Sequence, residues 1–232
     1  MTEKSTQVGL TMLIRRSNHA ISVADGQLAP CTQTFAYGVI KRLIDILCSA
    51  SALIVLSPLL GLIALAVKLS LPGPLFYNWH VVGRGGKTFT SYKFRTMVVN
   101  ADELKKDLWQ YNERHGPTFK MKNDPRVTSV GRILRKFSLD ELPQLWSVLK
   151  GDMSLVGPRP VGPDEWEHFK DWQRRKLSVT PGMISLWHVR GKPKDFNEWI
   201  RLDLEYIDTW SIWLDIKLLF SAAWYVLSGR NY

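Results

Sequence analysis

The sequence predicts a mostly helical α+β protein with a re-entrant membrane hairpin, interfacial amphipathic helices and a small β-hairpin. Three observations support this fold class. One long apolar run is broken near its middle, two aromatic and β-branched stretches flank a glycine-rich turn, and much of the remaining chain has helical periodicity. We divide the chain into a flexible tail at 1–36, a membrane hairpin at 37–72 and a head at 73–232.

The apolar run extends from Leu43 to Leu71 and reads LIVLSPLLGLIALAV over 53–67. It is longer than the ~20 residues that a helix needs to cross a hydrocarbon core. Pro58 lacks an N–H and its ring clashes with the preceding turn, while the Ser57 hydroxyl can bond a carbonyl of that turn. The Ser57-Pro58 pair therefore predicts a break or kink within the run.

Positive charges flank both ends of this run, with Lys41 and Arg42 before it and Lys68, Arg84 and Lys87 after it. An excess of Lys and Arg marks the cytoplasmic flanks of membrane segments. Both ends are therefore expected on the cytosolic side. A hairpin that enters one leaflet and returns explains the charges and the proline together, and a spanning helix with a tolerated proline is the alternative.

Composition favours a location at a membrane surface. The net charge is +10 and there are 10 Trp residues, a combination that suits an anionic membrane and also suits nucleic acid. The two cysteines, Cys31 and Cys48, form neither a disulfide framework nor a C-x-x-C site, so a reducing, cytosol-facing location is expected. The N-terminus has no signal-peptide pattern.

The head is expected to contain one β-hairpin and several helices. LFYNWHVV and TFTSYKF predict strands around GRGGK, whose glycine spacing does not match a phosphate-binding loop. Periodicity predicts helices at 100–115, 164–178 and 196–228, and a shorter helix that ends at Gly151. A strand is expected at ISLWHV. The apolar segment 216–227 is too short to span a membrane and suits its interface.

The stretch 132–160, RILRKFSLDELPQLWSVLKGDMSLVGPRP, contains the candidate chemistry. Asp140 and Glu141 follow a run of cations, and Arg159 lies between two prolines. Carboxylates among cations stay ionised, and an ionised aspartate can attack phosphorus once arginines or Mg²⁺ neutralise the phosphates. The pattern favours a polyanionic substrate such as a pyrophosphate, with one carboxylate as nucleophile and its neighbour as metal ligand.

The same residues also fit a structural role. Ser138-Leu139-Asp140-Glu141 matches a capping box, with Ser138 at the N-cap and Glu141 three residues later. Capping and catalysis are compatible, because a helix N-terminus also attracts phosphate.

From about residue 41 to residue 232 the chain resembles the bacterial sugar transferase family. These are monotopic polyprenyl-phosphate phosphoglycosyl transferases, which initiate exopolysaccharide or O-antigen synthesis. The resemblance rests on the Ser57-Pro58 break and on the following segments: KRLIDI, GPLFY, YKFRTM, NDPRVTSVGRILRKFSLDELPQLW, LKGDMSLVGPRP and TPGMISLWHV.

The resemblance implies a fold, a location and a reaction. The fold is a re-entrant helix–break–helix with a cytosolic α+β head, so 73–232 would be a cytosolic and interfacial catalytic domain at the cytoplasmic face of the bacterial inner membrane. The reaction transfers a sugar-1-phosphate from a UDP-sugar to undecaprenyl phosphate and releases UMP. It proceeds through a covalent aspartyl-phosphosugar intermediate.

The resemblance also assigns roles to particular residues. Asp140 would be the nucleophile, and Glu141 would bind Mg²⁺. Arg95, Arg135 and Arg159 stand at matching basic positions, and we assign them to phosphate binding.

The chain departs from the family pattern in two places. Trp79-His80-Val81 replaces a common Gln-x-Arg, and SLWHVRGK replaces GLWQVSGR, so that His188 and Lys192 stand where Gln and Arg are common. Two other classes of function fit parts of the sequence: a scaffold protein without activity and a membrane-anchored nucleic-acid binder. The retained acidic pair argues against both. The transferred sugar, the polymer and the oligomeric state, a homo-oligomer included, are left open by the sequence.

Overall fold

The computed structural model describes residues 35–191 and 193–228. The helices are α1 (Phe35–Val55), α2 (Ser57–Ser70), α3 (Ala101–Asp107), α4 (Ser129–Lys136), α5 (Gln144–Lys150), α6 (Pro163–Trp166), α7 (Asp171–Arg174), α8 (Trp187–Arg190), α9 (Phe196–Thr209) and α10 (Ile212–Ser228). The strands are β1 (Phe76–Val82), β2 (Thr88–Phe94), β3 (Ser154–Val156) and β4 (Gly182–Ile184). A mostly helical fold with a small antiparallel sheet is confirmed. Almost all of the predicted tail at 1–36 lies outside the described residues, and the three-part division of the chain stays a prediction.

The break between α1 and α2 lies where the Ser57-Pro58 pair predicts it. Only Leu56 separates the two helices, which are bent by 62° relative to each other. Ser57 donates its hydroxyl to the Ile54 carbonyl at 2.8 Å. Pro58 lies in the first turn of α2, where an N–H would have no partner within the helix. The pair therefore starts a second helix in a new direction.

The surface of α1 and α2, together called the membrane hairpin, is strongly apolar. No described helix alone has the length and apolar composition of a transmembrane span, whereas the bent pair passes this test as one unit. Contiguous apolar surface of this kind is typical of a membrane or protein contact. The re-entrant topology stays a prediction. The exposed apolar side chains of the hairpin include Val39, Ile40, Leu43, Leu47, Ile54, Val55, Leu59, Leu62, Leu65 and Leu69.

The predicted β-hairpin is formed by β1 and β2. The strands pair antiparallel along their whole length, with Trp79 opposite Ser91. Gly85 and Gly86 adopt φ values of 67° and 81° in the connecting turn, a left-handed conformation that glycine adopts readily. β3 and β4 form a second, parallel pair, which the sequence pattern did not indicate.

The helix predicted at 100–115 is wrong beyond α3, which ends at Asp107. The reason is local hydrogen bonding by the side chain of Asn112. Its Oδ1 accepts the N–H groups of Arg114 at 3.2 Å and Lys120 at 2.9 Å. An Asn side chain that bonds the backbone in this way competes with helix formation. The chain therefore turns into a loop.

Two further predicted elements are also divided. The helix predicted at 164–178 is split into α6, α7 and a 3-10 turn, because the Gln173 side chain accepts the N–H of Lys170 at 2.7 Å and starts α7. The strand predicted at ISLWHV is wrong after Ile184, where the chain turns into α8. The predicted C-terminal helical region is confirmed as α9 and α10.

Two apolar clusters hold the elements together. The larger one packs α9 against α5, β3 and β4, with Trp199 and Ile200 fully buried. The smaller one joins the membrane hairpin to the head, because Ile63 and Val67 of α2 pack with Phe94 and Leu134. Full burial of such a side chain contributes about 1.5–3 kcal/mol. The smaller cluster therefore fixes α2 against β2 and α4.

Polar contacts fasten α1 to the head. Arg42 donates to the carbonyls of Val148 at 2.6 Å and Leu149 at 2.7 Å, at the C-terminal end of α5. Lys41 forms an ion pair with Asp215 of α10 at 2.5 Å. The Arg42 contact is favourable because the carbonyls at the C-terminus of a helix lack partners within the helix and attract a cation.

Candidate active site

Asp140 and Glu141, here called the acid pair, lie in a 3-10 turn that follows α4. The capping-box interpretation of this turn is wrong. Ser138 has a φ of 51° and its side chain makes no capping bond, while its backbone carbonyl accepts the N–H of Glu141 at 3.2 Å. A left-handed conformation is unfavourable for a residue with a side chain, and such strain is common at functional sites.

The carboxyl group of Asp140 is largely buried, with Asp140 9% exposed. Burial, and after it the negative charge of Glu141, raise the pKa of Asp140 to about 6 against the opposing charges of Lys93 and Arg135. Asp140 is therefore mostly ionised at neutral pH, yet it has few water molecules to compete with a reacting group.

The carboxyl group of Glu141 is held by Lys93. The Lys93 Nζ lies 2.6 Å from Glu141 Oε1. Burial opposes ionisation of Glu141, but the charge and hydrogen bond of Lys93 outweigh it and, with Arg159 and His188, lower the pKa of Glu141. The two pKa values are thus moved apart, a common arrangement where two carboxylates have different roles.

Lys93 is the main residue of this site that the sequence analysis missed. It lies in β2, opposite Tyr77, and its Nζ is 4.5 Å from the centre of the Trp79 ring. Its position in the YKFRTM segment, two residues before Arg95, was the available signal. The long separation in sequence between Lys93 and the acid pair concealed the contact.

Two of the predicted phosphate-binding arginines act on the acid pair. Arg135 donates its Nε to the Thr96 hydroxyl at 2.9 Å and lowers the pKa of Asp140. The guanidinium of Arg159 lowers the pKa of Glu141. The structure therefore brings these two cations near the pair, while their role in phosphate binding stays a prediction.

The third predicted arginine has other partners. Arg95 is buried and donates to the carbonyls of Leu71 at 2.8 Å and Pro72 at 3.0 Å, just after α2. Phosphate binding by Arg95 would require it to release these carbonyls. The structure thus gives Arg95 a structural role at the exit of the membrane hairpin, while its role in phosphate binding stays a prediction.

Two of the positions that depart from the family pattern border the acid pair. His188 Nδ1 lies 3.0 Å from the backbone N of Ser185, and the imidazole is among the groups that lower the pKa of Glu141. Trp79 contacts Lys93, as described above. His80 faces Thr90 at 3.5 Å. Lys192 lies outside the described residues.

The described residues of the site offer few oxygen ligands to Mg²⁺. Within 35–191 and 193–228, no cluster of three or more His, Cys, Asp or Glu could form a protein-only cage. Mg²⁺ is commonly held by one or two carboxylates together with substrate phosphates. The acid pair fits that mode, and Glu141 would then share its carboxylate between Lys93 and the metal ion.

The fold and the site together define a class of protein. A bent apolar helix pair carries a head whose centre is a poised carboxylate among cations, which suits a membrane-associated enzyme that acts on phosphate groups. The chain belongs to the bacterial sugar transferase family, whose sequence profile matches residues 36–229.

Several curated proteins are similar to this chain. Galactosyl transferase CpsE of Streptococcus agalactiae is 47% identical over 161 residues, which cover 68% of this chain and 36% of that protein. Undecaprenyl-phosphate galactose phosphotransferase of Salmonella typhimurium is 46% identical over 200 residues, which cover 81% and 40%. Exopolysaccharide production protein ExoY of Rhizobium meliloti is 40% identical over 188 residues, which cover 79% and 83%. The chain thus spans about two fifths of the first two relatives and most of ExoY.

Proposed function

We propose that this protein transfers a sugar-1-phosphate from a UDP-sugar to undecaprenyl phosphate, as the first step in assembling a polysaccharide or glycoconjugate. The observation that carries the proposal is Asp140, a buried carboxylate that stays ionised near neutral pH beside Glu141 and Lys93. Its position among cations suits attack on a phosphate that would otherwise repel it.

The reaction has two displacements at the same phosphorus atom. An oxygen of Asp140 attacks the phosphorus that bears the sugar, the bond from that phosphorus to the nucleotide phosphate oxygen breaks, and UMP leaves. An oxygen of undecaprenyl phosphate then attacks the aspartyl phosphosugar. The bond between Asp140 and phosphorus breaks, so that the carboxylate is regenerated and the lipid carries the sugar diphosphate.

The residues around Asp140 each support one part of this sequence. Glu141 would hold Mg²⁺ with the substrate phosphates, and the ion would neutralise phosphate charge. Arg135 and Arg159 would orient phosphate oxygens near the pair. The membrane hairpin would lie in the cytosolic leaflet of the inner membrane and bring the head to the lipid phosphate.

The names of three relatives agree on the lipid carrier but differ in the sugar. Undecaprenyl phosphate appears with galactose in the Salmonella protein, with N-acetylgalactosamine in an Aeromonas hydrophila protein and with glucose in a Komagataeibacter xylinus protein. We therefore propose undecaprenyl phosphate as acceptor and leave the sugar to be identified by assay.

The test has two parts, both with the full chain in membrane fractions or detergent. UMP release is measured with UDP-galactose, UDP-glucose and UDP-N-acetylgalactosamine, with and without undecaprenyl phosphate. Intact mass spectrometry without acceptor should then detect one phosphosugar on the wild-type protein. Asp140→Asn should show neither turnover nor adduct, whereas Asp171→Asn, at a carboxylate that is 88% exposed, should behave as wild type.

Two results would contradict the proposal. One is an adduct on Asp140→Asn, which would place the nucleophile elsewhere. The other is the absence of UMP release from every UDP-sugar by a folded wild-type protein, which would favour a scaffold that keeps the fold without the activity.

A further inference from the structure

The loop from Asn112 to Lys122 lies beside Arg159 and has a defined shape. In addition to accepting the N–H groups of Arg114 and Lys120, the Asn112 side chain donates to the Thr118 carbonyl at 2.9 Å. One amide thus fixes both ends of the loop. The backbone positions of Arg114 and Lys120 are set by the same side chain.

Contacts with the start of α9 hold this loop against the head. The N–H of His115 donates to the Lys194 carbonyl at 3.2 Å. Gly116 has a φ of +106°, and a Cβ at this position would lie 2.7 Å from the Cβ of Phe196. Only glycine allows this approach without a shift of the loop or of α9.

The loop brings Arg114 to the same aromatic surface as Arg159. The Arg159 guanidinium carbon lies 5.3 Å from the ring centres of both Trp187 and Trp199, and that of Arg114 lies 5.7 Å and 6.0 Å from them. Stacking on aromatic faces holds a guanidinium in place while its N–H groups stay available to an anion.

The head-side cation cluster, defined as Arg114, Lys120 and Arg159, is rich in positive charge. Burial and then the charge of Arg159 lower the pKa of Arg114, and burial and then the charge of Arg114 lower the pKa of Lys120. The acids whose charges act on the cluster are Glu113, Glu165, Asp203 and Glu141. Like charges that are half-buried together are costly unless an anion joins them.

The acidic residues around this cluster are already bonded within the head. Glu113 accepts the N–H of Lys122 at 2.7 Å, and Glu165 accepts the N–H of Gly162 at 3.4 Å. Burial raises the pKa of Glu165, so this carboxylate is protonated, and loses its negative charge, at a higher pH than an exposed glutamate. Asp203 is paired at 2.6 Å with Lys176. Because Asp203 and Glu141 are paired with lysines outside the cluster, Lys176 and Lys93, the cations of the cluster can still bind a ligand anion.

The position of the cluster indicates which anion. Arg135 approaches the acid pair from α4, which packs on the membrane hairpin through Leu134. Arg159 instead lies against Trp187 of α8 and Trp199 of α9, where it shares both rings with Arg114. A lipid phosphate arrives from the membrane, and a nucleotide arrives from water. The cluster contacts α8 and α9 of the head, so a ligand that arrives from water is the one it suits.

We propose that Arg114 and Lys120, together with Arg159, form the subsite for the phosphate of the departing nucleotide. This inference rests on the proposed function. When the bond between the two phosphates of the UDP-sugar breaks, its electron pair stays on the nucleotide phosphate, which gains negative charge. Cations at that position stabilise the leaving group more strongly as the bond breaks. Undecaprenyl phosphate offers the same phosphate chemistry and is the competing occupant.

Equilibrium binding of UMP to the full chain, measured by isothermal titration calorimetry, tests the subsite without turnover. Arg114→Met and Lys120→Met remove the charge and keep an apolar stem, and each should weaken UMP binding about tenfold or more. Arg114→Lys should recover part of the affinity. Lys122→Met, which removes an exposed lysine of the same loop, is the matched control and should bind UMP as wild type does.

A second arm measures the lipid step. The preformed phosphosugar adduct is mixed with undecaprenyl phosphate, and its rate of decay should be the same in wild type and in both Met variants. If the variants slow this decay and bind UMP normally, the subsite belongs to the lipid phosphate and the proposal is overturned. If neither measurement changes, the cluster is structural and the proposal is also overturned.

The outcomes separate this inference from the proposed function. A wild-type protein that releases no UMP from any UDP-sugar contradicts the function, while its UMP affinity still reports on the subsite. Thermal melting of each variant checks folding. If Arg114→Met fails to melt cooperatively, Lys120→Met and Arg114→Lys decide the question.

Discussion

Two sites in this protein place a lysine against a carboxylate at nearly the same distance, yet their surroundings differ. In the acid pair, Lys93 lies 2.6 Å from Glu141. At the anchor, defined as Lys41, Tyr206 and Asp215, the Lys41 Nζ lies 2.5 Å from Asp215. The length of an ion pair therefore does not reveal its role, which depends on the other groups around the carboxylate.

At the anchor, donors surround the carboxylate. Asp215 accepts from the Tyr206 hydroxyl at 2.6 Å on one oxygen, and from Lys41 and the Tyr37 hydroxyl on the other. At the acid pair, the neighbour of Glu141 is a second carboxylate whose pKa is raised. The anchor satisfies a buried charge and holds α1 to α10, whereas the acid pair keeps two carboxylates side by side, an unfavourable arrangement that a bound cation would relieve.

The largest expected effect is on stability at the anchor. Lys41→Met leaves Asp215 buried without its cation, and the free energy of unfolding should fall by about 3–5 kcal/mol. Lys150→Met is the control, because its 2.6 Å pair with Asp152 is more exposed, at 39% and 33% against 13% and 10%, and should cost less than about 1 kcal/mol. Chemical denaturation measures both. If both variants lose the same free energy of unfolding, the buried pair at the anchor stabilises the fold no more than the surface pair does.

The next effect is on turnover at the acid pair. Glu141→Gln keeps the shape and removes the charge, so the rate should fall about a hundredfold or more, with an altered dependence on Mg²⁺ concentration. UMP release at several Mg²⁺ concentrations measures this, and an unchanged melting curve shows that the fold is kept. A wild-type rate with unchanged Mg²⁺ dependence would reduce Glu141 to a structural partner of Lys93.

A pH profile provides a third test. The nucleophile must be ionised, so the rate should fall as the pH falls through the Asp140 pKa of about 6, by about tenfold per unit below it. Lys93 lowers this pKa and Glu141 raises it. Lys93→Met should therefore move the acid limb to higher pH, and Glu141→Gln should move it to lower pH. If the wild-type rate of UMP release stays constant from pH 7 to pH 5, the assignment of Asp140 as the nucleophile is contradicted.

The smallest expected effect concerns the break of the membrane hairpin. Replacing Ser57 and Pro58 by Ala and Leu should straighten α1 and α2 into one apolar helix, so that a fraction of molecules places residue 1 in the periplasm. Labelling of a cysteine in the N-terminal tail by a reagent confined to the periplasm measures this, in a background without Cys31 and Cys48. If the same reagent labels the tail of the protein that keeps Ser57 and Pro58, the apolar segment is an ordinary kinked span.

The sequence predicted the parts of the site that are close together along the chain. Asp140, Glu141 and Arg135 lie within a few residues of one another, and the Ser57-Pro58 break acts locally. The β-hairpin followed from alternation around a glycine-rich turn. In each case short-range chemistry determines the structure, so a linear pattern suffices.

The remaining features depend on contacts between distant residues. Lys93 reaches Glu141 across the fold, and Arg95 binds carbonyls at the exit of α2 instead of adding to the pair. Arg114 was assigned to a helix because its segment has helical periodicity, and the Asn112 side chain overrides that pattern. Such tertiary hydrogen bonds leave no periodic signal in the sequence.

The two arginine–carbonyl contacts described for the fold have a mechanical consequence. Arg42 binds the end of α5, which directly follows the acid pair, and Arg95 binds the exit of α2. Each helix of the hairpin is therefore fixed to the head near its end away from the Leu56 break. If the hairpin lies in one leaflet, the hairpin and the head move as one rigid body. A thicker or thinner leaflet would then tilt the hairpin and the head together, and the height of Asp140 above the lipid phosphates would change with that tilt.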